Sequence, residues 1–175
     1  SMSNQSRGVV CRRLPQQPAF DEYLLERILS RDNLYLAFQR VESNNGAPGV
    51  DGIRVQDFHE WVKVLWPGIL QSLYDGTYTP SPVLRCEIPK DNGTMRLLGI
   101  PIVLDRTIQQ AISQIINPTF DEFFSNSSYG FRPSRSCHQA VRKIRSYIVD
   151  GYRIAVDVDL ERYFDTVNHD LLMER

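Results

Sequence analysis

The stretch VLRCEIPKDNGTMRLLGI, residues 83–100, decides the fold class. Leu84, Cys86 and Ile88 alternate with Val83, Arg85 and Glu87, the period of a strand whose side chains point to opposite faces in turn. Lys90-Asp91-Asn92-Gly93-Thr94 places Asn-Gly at the centre of a turn, the pairing that best tolerates the positive φ angles of a tight hairpin. Arg96-Leu97-Leu98-Gly99-Ile100 then reads as the returning strand, and Pro101 ends it. A hairpin set in otherwise helical surroundings predicts an α+β chain.

Working outward, the period becomes that of a helix on both sides. Upstream, Phe20, Leu24, Ile28 and Leu29 share one face. Leu34, Phe38 and Val41 share another, and Ser30-Arg31-Asp32-Asn33 between them offers cap residues, so two short helices are expected. Asn44 to Gly52 holds three glycines and a proline in nine residues and reads as a loop. Phe58, Val62 and Leu65 predict a helix over 55–66. Pro67 is expected to open a separate one carrying Ile69, Leu70, Leu73 and Tyr74 to a stop at Gly76. Downstream, Leu104, Ile108, Ala111, Ile112 and Ile115 make a strongly apolar helical face, expected to end before Pro118. A short helix follows around Phe120 to Phe124, then a polar turn. Ser136 caps a helix carrying Ala140, Ile144, Tyr147 and Ile148, broken at Gly151. Ile154 to Leu160 is apolar enough for an interior strand.

Composition bounds the function. The 175 residues carry 20 Lys and Arg against 21 Asp and Glu, a formal charge of −1, and 42% are hydrophobic. That supports one ordinary core and excludes a charged disordered tail. No apolar run approaches the roughly 20 residues needed to cross a bilayer, and residues 1–6 carry no signal-type stretch. Cys11, Cys86 and Cys137 are odd in number and far apart, which favours free thiols in a reducing cytoplasm. The end of the chain at Leu171-Leu172-Met173-Glu174-Arg175 falls within a helix start capped by Asn168 or Asp170. The expectation is a piece of a longer protein.

Several residues carry chemistry. Asp157 and Asp159 lie two apart at the end of an apolar stretch, on one face of a strand. Burying two carboxylates is costly unless a hard divalent cation offsets it, although Asp159 could equally cap the next helix. Tyr163 and Phe164 follow closely, as core aromatics or as a surface for a sugar. Lys90 and Arg96 flank the hairpin turn, where two cations can hold a polyphosphate or simply be solvated. The glycines of 44–52 would let backbone approach a nucleic-acid strand, but the loop matches neither a P-loop nor a dinucleotide fingerprint. Arg132, Arg135, Arg142, Lys143 and Arg145 form a local basic cluster in a nearly neutral chain, suited to phosphate contacts or to an exposed helix face.

Taken in order, PSPVLRCEIPKDNGTMRLLGIPIVLDRTIQQAI (80–112), FDEFFSNSSYGFRPSRSCHQAV (120–141) and RIAVDVDLERYFDTVNHDLL (153–172) resemble the bacterial group II intron-encoded reverse transcriptase, or maturase, family. The resemblance extends through NNGAPGVDG (44–52). It implies the fingers and part of the palm of a right-hand polymerase. The expected organisation is a flexible lead-in over 1–19, an N-terminal extension and fingers over 20–150, and the start of a truncated palm over 151–175.

The resemblance also implies roles. Asp159 and the backbone carbonyl of Leu160 would face Mg2+, with Asp157 in support where the family pattern is looser. Lys90 and Arg96 would grip the triphosphate of the incoming dNTP. Phe164 would reject a ribose 2′-hydroxyl. Asn45 and Gly46 would belong to a lid over the template, and Arg132 and Arg135 would contact RNA. Expected partners are an RNA template, intron RNA and a DNA primer, with no membrane. Apolar surface left open by a truncated palm would invite a homodimer. The family's Tyr-x-Asp-Asp hairpin, which holds the remaining metal carboxylates, is absent from these residues. Polymerase activity is therefore expected of a longer parent and not of this chain alone, and bound Mg2+ is not expected here. A non-catalytic RNA-binding maturase-like scaffold and a bacterial reverse transcriptase outside introns are the alternatives.

Overall fold

In the computed structural model the described residues are 22–89, 91, 93, 95–160 and 163–174. The predicted lead-in over 1–19 and Lys90 lie outside them. The described elements run α1 (Leu24–Ile28), α2 (Arg31–Ser43), α3 (Val55–Tyr74), β1 (Leu84–Pro89), β2 (Met95–Ile100), α4 (Val103–Asp121), α5 (Cys137–Val149), α6 (Tyr163–Thr166) and α7 (His169–Met173). The chain divides into two compact units at Phe124–Ser125.

The first unit is built on the helical stripes. Ala37 of α2 and Ala111 of α4 are both fully buried. Two methyl-sized side chains let these helices approach closely. Ile28 and Leu29 close the same cluster, with Leu24, Leu34 and Ile115 against it. A neighbouring cluster unites Val41, Val55, Phe58, Ile102, Val103, Leu104 and Ile108. Burying a side chain such as Phe58 contributes about 1.5–3 kcal/mol.

Asn33 does more than sit near a helix start. It is buried, and its Nδ2 donates to the carbonyls of Ile28 (2.8 Å) and Ala111 (3.0 Å). Its Oδ1 accepts from Gln114 Nε2 (2.8 Å). One amide thus ties α1, α2 and α4 together, and every buried polar atom of it has a partner.

Two expected helix boundaries are corrected. Pro67 does not open a new helix, because α3 continues through it to Tyr74. A proline inside a helix forfeits the bond from its own nitrogen and crowds the carbonyl four residues back, here that of the exposed Lys63. The apolar stripe on both sides of it, Phe58 and Val62 before and Ile69 and Leu73 after, packs on one core and keeps the axis continuous. By the same logic α4 runs through the exposed Pro118 to Asp121, and the separate helix expected at 120–124 is a helix end followed by a turn. The stop at Gly76 is as expected. With φ +67°, Gly76 lets its own N–H reach the Leu73 carbonyl (3.3 Å) and Thr77 N–H reach that of Ser72 (2.9 Å).

The hairpin is present and antiparallel, from Leu84 opposite Ile100 to Pro89 opposite Met95. Every strand residue except Ile100 is exposed. Gly99 is packed against Val83, where a Cβ would meet Val83 Cγ2 at 3.0 Å.

The second unit contains α5, α6 and α7. Ser136 caps α5 with a complete capping box, its Oγ accepting from Gln139 N–H (3.4 Å) while Gln139 Oε1 accepts from Ser136 N–H (3.0 Å). Asn168, one of the two residues expected to cap the last helix, does so by accepting from Leu171 N–H (3.0 Å). The expected strand over 153–159 is not formed. Residues 152–160 carry no regular secondary structure. Ile154, Val156 and Val158 are 89%, 83% and 79% exposed. A strand exists only through its ladder to a neighbour. The described sheet consists of β1 and β2 alone.

Candidate functional site

The loop 44–52 is fixed by contacts on both sides. Asn45 adopts φ +43°, a left-handed conformation that asparagine tolerates better than most residues. Its N–H donates to the Glu42 carbonyl (2.9 Å), and its Oδ1 accepts from Gln56 Nε2 (2.9 Å) at the start of α3. Ile53 N–H donates to Asp51 Oδ1 (3.1 Å) where the loop leaves. Gly49 lies against the entry to α4: a Cβ there would stand 2.7 Å from Ile102 Cα. Gly46 lies against Arg106, and a Cβ would fall 2.5 Å from its Nη1. Gly49 is therefore required by close approach to backbone, whereas at Gly46 the neighbour is the tip of a flexible arginine, which a side chain there would displace.

On the hairpin, Arg96 is exposed and sits opposite Ile88. Its expected companion, Lys90, is outside the described residues. Behind β1, the segment 77–83 is moored to α4. Asp105 is 3% exposed, accepts from Tyr78 Oη through Oδ1 (2.6 Å) and from Ser81 N–H through Oδ2 (3.0 Å). Burial pushes the Tyr78 phenol far above its ordinary range, and the Asp105 hydrogen bond and charge add to that.

In the second unit, Arg132 and Arg135 shape the turn before α5. Arg132 Nη1 donates to the carbonyls of Ser125 (2.7 Å) and Ser128 (3.2 Å). Arg135 Nη1 donates to Asn126 O (3.4 Å), and its guanidinium lies 5.6 Å from the Tyr129 ring centre. Immediately before Arg132, Phe131 holds φ +56° and is fully exposed. Asp157 and Asp159 are exposed, and Asp159 Oδ1 accepts from Leu160 N–H (2.9 Å). Phe164, 87% exposed, meets Tyr163 edge-on at 5.3 Å.

These residues bring few of the expected ligands together. Asn45, Gly46 and Arg96 belong to the first unit, and Arg132, Arg135, Asp159, Leu160 and Phe164 to the second. Among the described residues no three His, Cys, Asp or Glu side chains converge to hold a metal ion. One exposed carboxylate and a main-chain carbonyl fall short of the six-coordinate oxygen shell of Mg2+. An apolar groove of about 580 Å³ in the first unit, floored by Phe38, Phe58, Val62 and Leu70, contains none of the expected site residues.

Two residues escaped the sequence reading, Asp105 and Arg106. Their signal is present in Leu104-Asp105-Arg106-Thr107. A carboxylate three residues before Ile108, on the apolar side of a helix, must find donors or unfold its surroundings.

Residues 88–175, half of the chain, match a family model described as reverse transcriptase (RNA-dependent DNA polymerase). Protein YkfC of Escherichia coli is 38% identical over 157 residues, covering 86% of this chain and 41% of that protein. The group II intron-encoded protein LtrA of Lactococcus lactis subsp. cremoris is 39% identical over 147 residues, 83% of this chain and 24% of LtrA. Nuclear intron maturase 1, mitochondrial, of Arabidopsis thaliana is 37% identical over 73 residues, 42% of this chain and 10% of that protein. The chain thus spans less than half the length of these relatives. No helix among the described residues is long and apolar enough to cross a membrane.

Proposed function

The chain belongs to the reverse transcriptase (RNA-dependent DNA polymerase) family, with relatives among group II intron-encoded proteins, and from that premise we propose that it forms the fingers and first palm segment of an RNA-directed DNA polymerase that copies intron RNA and assists splicing. The observation that carries this reading is the family match running unbroken from the hairpin, at residue 88, through Asp159 and Phe164. Under it, residues 20–150 are the N-terminal extension and fingers, and 151–175 begin the palm.

The parts then take these roles. Arg96, with Lys90, binds the phosphates of the incoming dNTP from the hairpin. An exposed ribbon end suits that task, because charged donors there can reach a ligand and cost nothing to desolvate beforehand. Phe164 lies against the sugar of the nucleotide and disfavours a 2′-hydroxyl. The Asn45–Gly46 loop covers the RNA template. Arg132 and Arg135, which already hold their turn, add local positive charge for RNA, with the primer seated on the palm. Asp159 and the Leu160 carbonyl supply part of a Mg2+ shell. Among the described residues the ligands are too few to hold the ion, and under this reading the remaining carboxylates belong to another element. No chemical step is assigned to this chain alone.

Primer extension on an RNA template tests the reading. A full-length protein carrying this chain is expected to synthesise DNA, and Asp159→Asn is expected to abolish synthesis while RNA binding persists. Arg96→Ala is expected to raise the dNTP KM by roughly ten- to a hundredfold, the loss of a charge-assisted contact of about 1.5–3 kcal/mol. Full activity of Asp159→Asn, or an unchanged KM for Arg96→Ala, would show that the site has been assigned wrongly.

A further inference from the structure

We propose that Arg106 is a positioning residue that holds the Asn45–Gly46 loop in the conformation that receives the RNA template. The proposal rests on the assignment of that loop to the template, made above, and adds what sets its shape.

Arg106 stands in the first turns of α4, and its Nη2 donates to the Ala47 carbonyl (2.8 Å), a contact 59 residues apart in sequence. Its Nη1 fills the space that a side chain at Gly46 would need. Its Nε is buried with no hydrogen-bond partner. An unpaired buried donor is a cost of this pose, set against the Ala47 bond that the same guanidinium makes. Arg106 also borders a cavity of about 340 Å³ lined by Val41, Asn44, Gln109, Gln110 and Ser113. There is room there, and there are polar partners. Crowding therefore does not force the guanidinium against the loop; the Ala47 bond and the missing side chain at Gly46 select that direction.

The rest of the loop is anchored at its edges, by Gln56 on Asn45 and by Gly49 on Ile102. Ala47, between those anchors, is held by Arg106. A planar, always-charged group with several donors suits the task. Lysine carries its three donors on one nitrogen at the end of a flexible stem, without the planar fork that here places Nη2 on the Ala47 carbonyl and Nη1 beneath Gly46. Fixing a binding loop before the ligand arrives lowers the ordering cost of binding. Arg106 should therefore act on template affinity and leave nucleotide binding alone.

The test uses the full-length protein with Arg106→Gln, Arg106→Lys, Gly46→Ala and Asn45→Gly, the last keeping the left-handed backbone while removing the side chain. Amide hydrogen exchange over 44–52, the Kd for a single-stranded RNA oligonucleotide, and the dNTP KM are measured on each, with Tm as the control for folding. Arg106→Gln and Gly46→Ala are expected to speed exchange in the loop roughly tenfold, the opening of a local contact. They should weaken RNA binding about fivefold through the lost preorganisation, with the dNTP KM unchanged. Arg106→Lys should fall between, and it keeps the test intact if glutamine impairs folding. Unchanged loop exchange in Arg106→Gln and Arg106→Lys overturns the proposal. So does a parallel loss of RNA affinity, nucleotide binding and Tm, which would make Arg106 a general stabiliser. The two readings separate on Asn45→Gly: weaker RNA binding there with normal binding in the Arg106 variants removes this proposal alone. Normal RNA binding in all four, with a faster loop, removes the template assignment and the proposal with it.

Discussion

Asp105 shows how much one side chain can hold. It is buried, yet both its oxygens are engaged, by the Tyr78 hydroxyl and the Ser81 N–H. These bonds join α4 to the segment that leads into β1, so a single carboxylate sets where the hairpin leaves the core. Asp105→Asn keeps one acceptor, for the Ser81 N–H, and loses both the charge and the carboxylate oxygen that accepts from Tyr78. The expected cost is about 1.5–3 kcal/mol, seen as a lower urea midpoint with an unchanged slope. Tyr78 carries the pH dependence. Its phenol is raised by burial and then by Asp105, so the folded state keeps that proton at a pH where the unfolded chain, titrating near 10, has lost it. The folded state then binds more protons than the unfolded one, and stability falls as pH rises. Its contribution is complete below pH ~10 and declines above it. Urea unfolding between neutral and alkaline pH should show that decline, and Tyr78→Phe should flatten it while lowering stability at neutral pH.

Among the elements, α5 is unlike α2, α3 and α4. Those three bury side chains, whereas α5 has no buried residue, and Val141, Ile144 and Ile148 are each more than half exposed. A helix of 13 residues is marginal on propensity alone. Its ends must therefore matter more than those of a packed helix. The capping box at Ser136 and the Gly151 terminus, where Tyr152 N–H reaches the Tyr147 carbonyl (3.0 Å), supply them. Ser136→Ala should remove about 1 kcal/mol from α5. Amide exchange confined to 137–149 would register it. No change there would mean that contacts other than the cap hold the helix.

For the whole molecule, the two units differ in kind. Residues 22–124 contain every buried side chain among those described, while the second unit presents Ile154, Val156, Leu160, Phe164, Leu171 and Leu172 to solvent. Apolar side chains exposed in such number would be stabilised by a partner if they form one patch. A second copy of the chain, the homodimer expected earlier, is one way to cover it. Amide protection is expected to be high in α2 and α4 and low throughout 125–174. Phe58→Ala should cost about 3–5 kcal/mol and unfold the first unit, whereas Ile144→Ala should leave its urea midpoint unmoved. If the proposed metal site needs carboxylates beyond Asp159, the isolated chain is expected to give no primer extension. It should still bind RNA weakly through the basic segment 132–145. That affinity should fall steeply with salt, since released counterions drive it. Salt-independent binding, followed by fluorescence anisotropy, would exclude the basic segment as its source.

Local pattern was enough for some of this. The strand period in 84–88 and the Gly76 stop are short-range facts, and α1 to α5 and the hairpin strands follow from periods read within one element, while Asn92 and Thr94 of the expected turn, like Lys90, lie outside the described residues. The order of the motifs was enough for the family, because that order needs no coordinates. Boundaries at Pro67 and Pro118 were not legible, since whether a helix survives a proline depends on packing contributed by residues far along the chain. The strand expected over 153–159 failed for a related reason. Alternating apolar residues state a willingness to pair, and pairing needs a neighbour that the pattern does not contain. Arg106 and Asp105 read as ordinary helix charges until the fold set Ala47 against one and Tyr78 against the other. The close seat of Gly49 belongs to the same class, because a glycine in a loop reads as freedom, and only the packing of the loop against Ile102 turns it into a requirement. Period and turn chemistry act over a few residues and are written in them, while burial, clearance and charge partners join residues dozens of positions apart and exist only once the chain has folded.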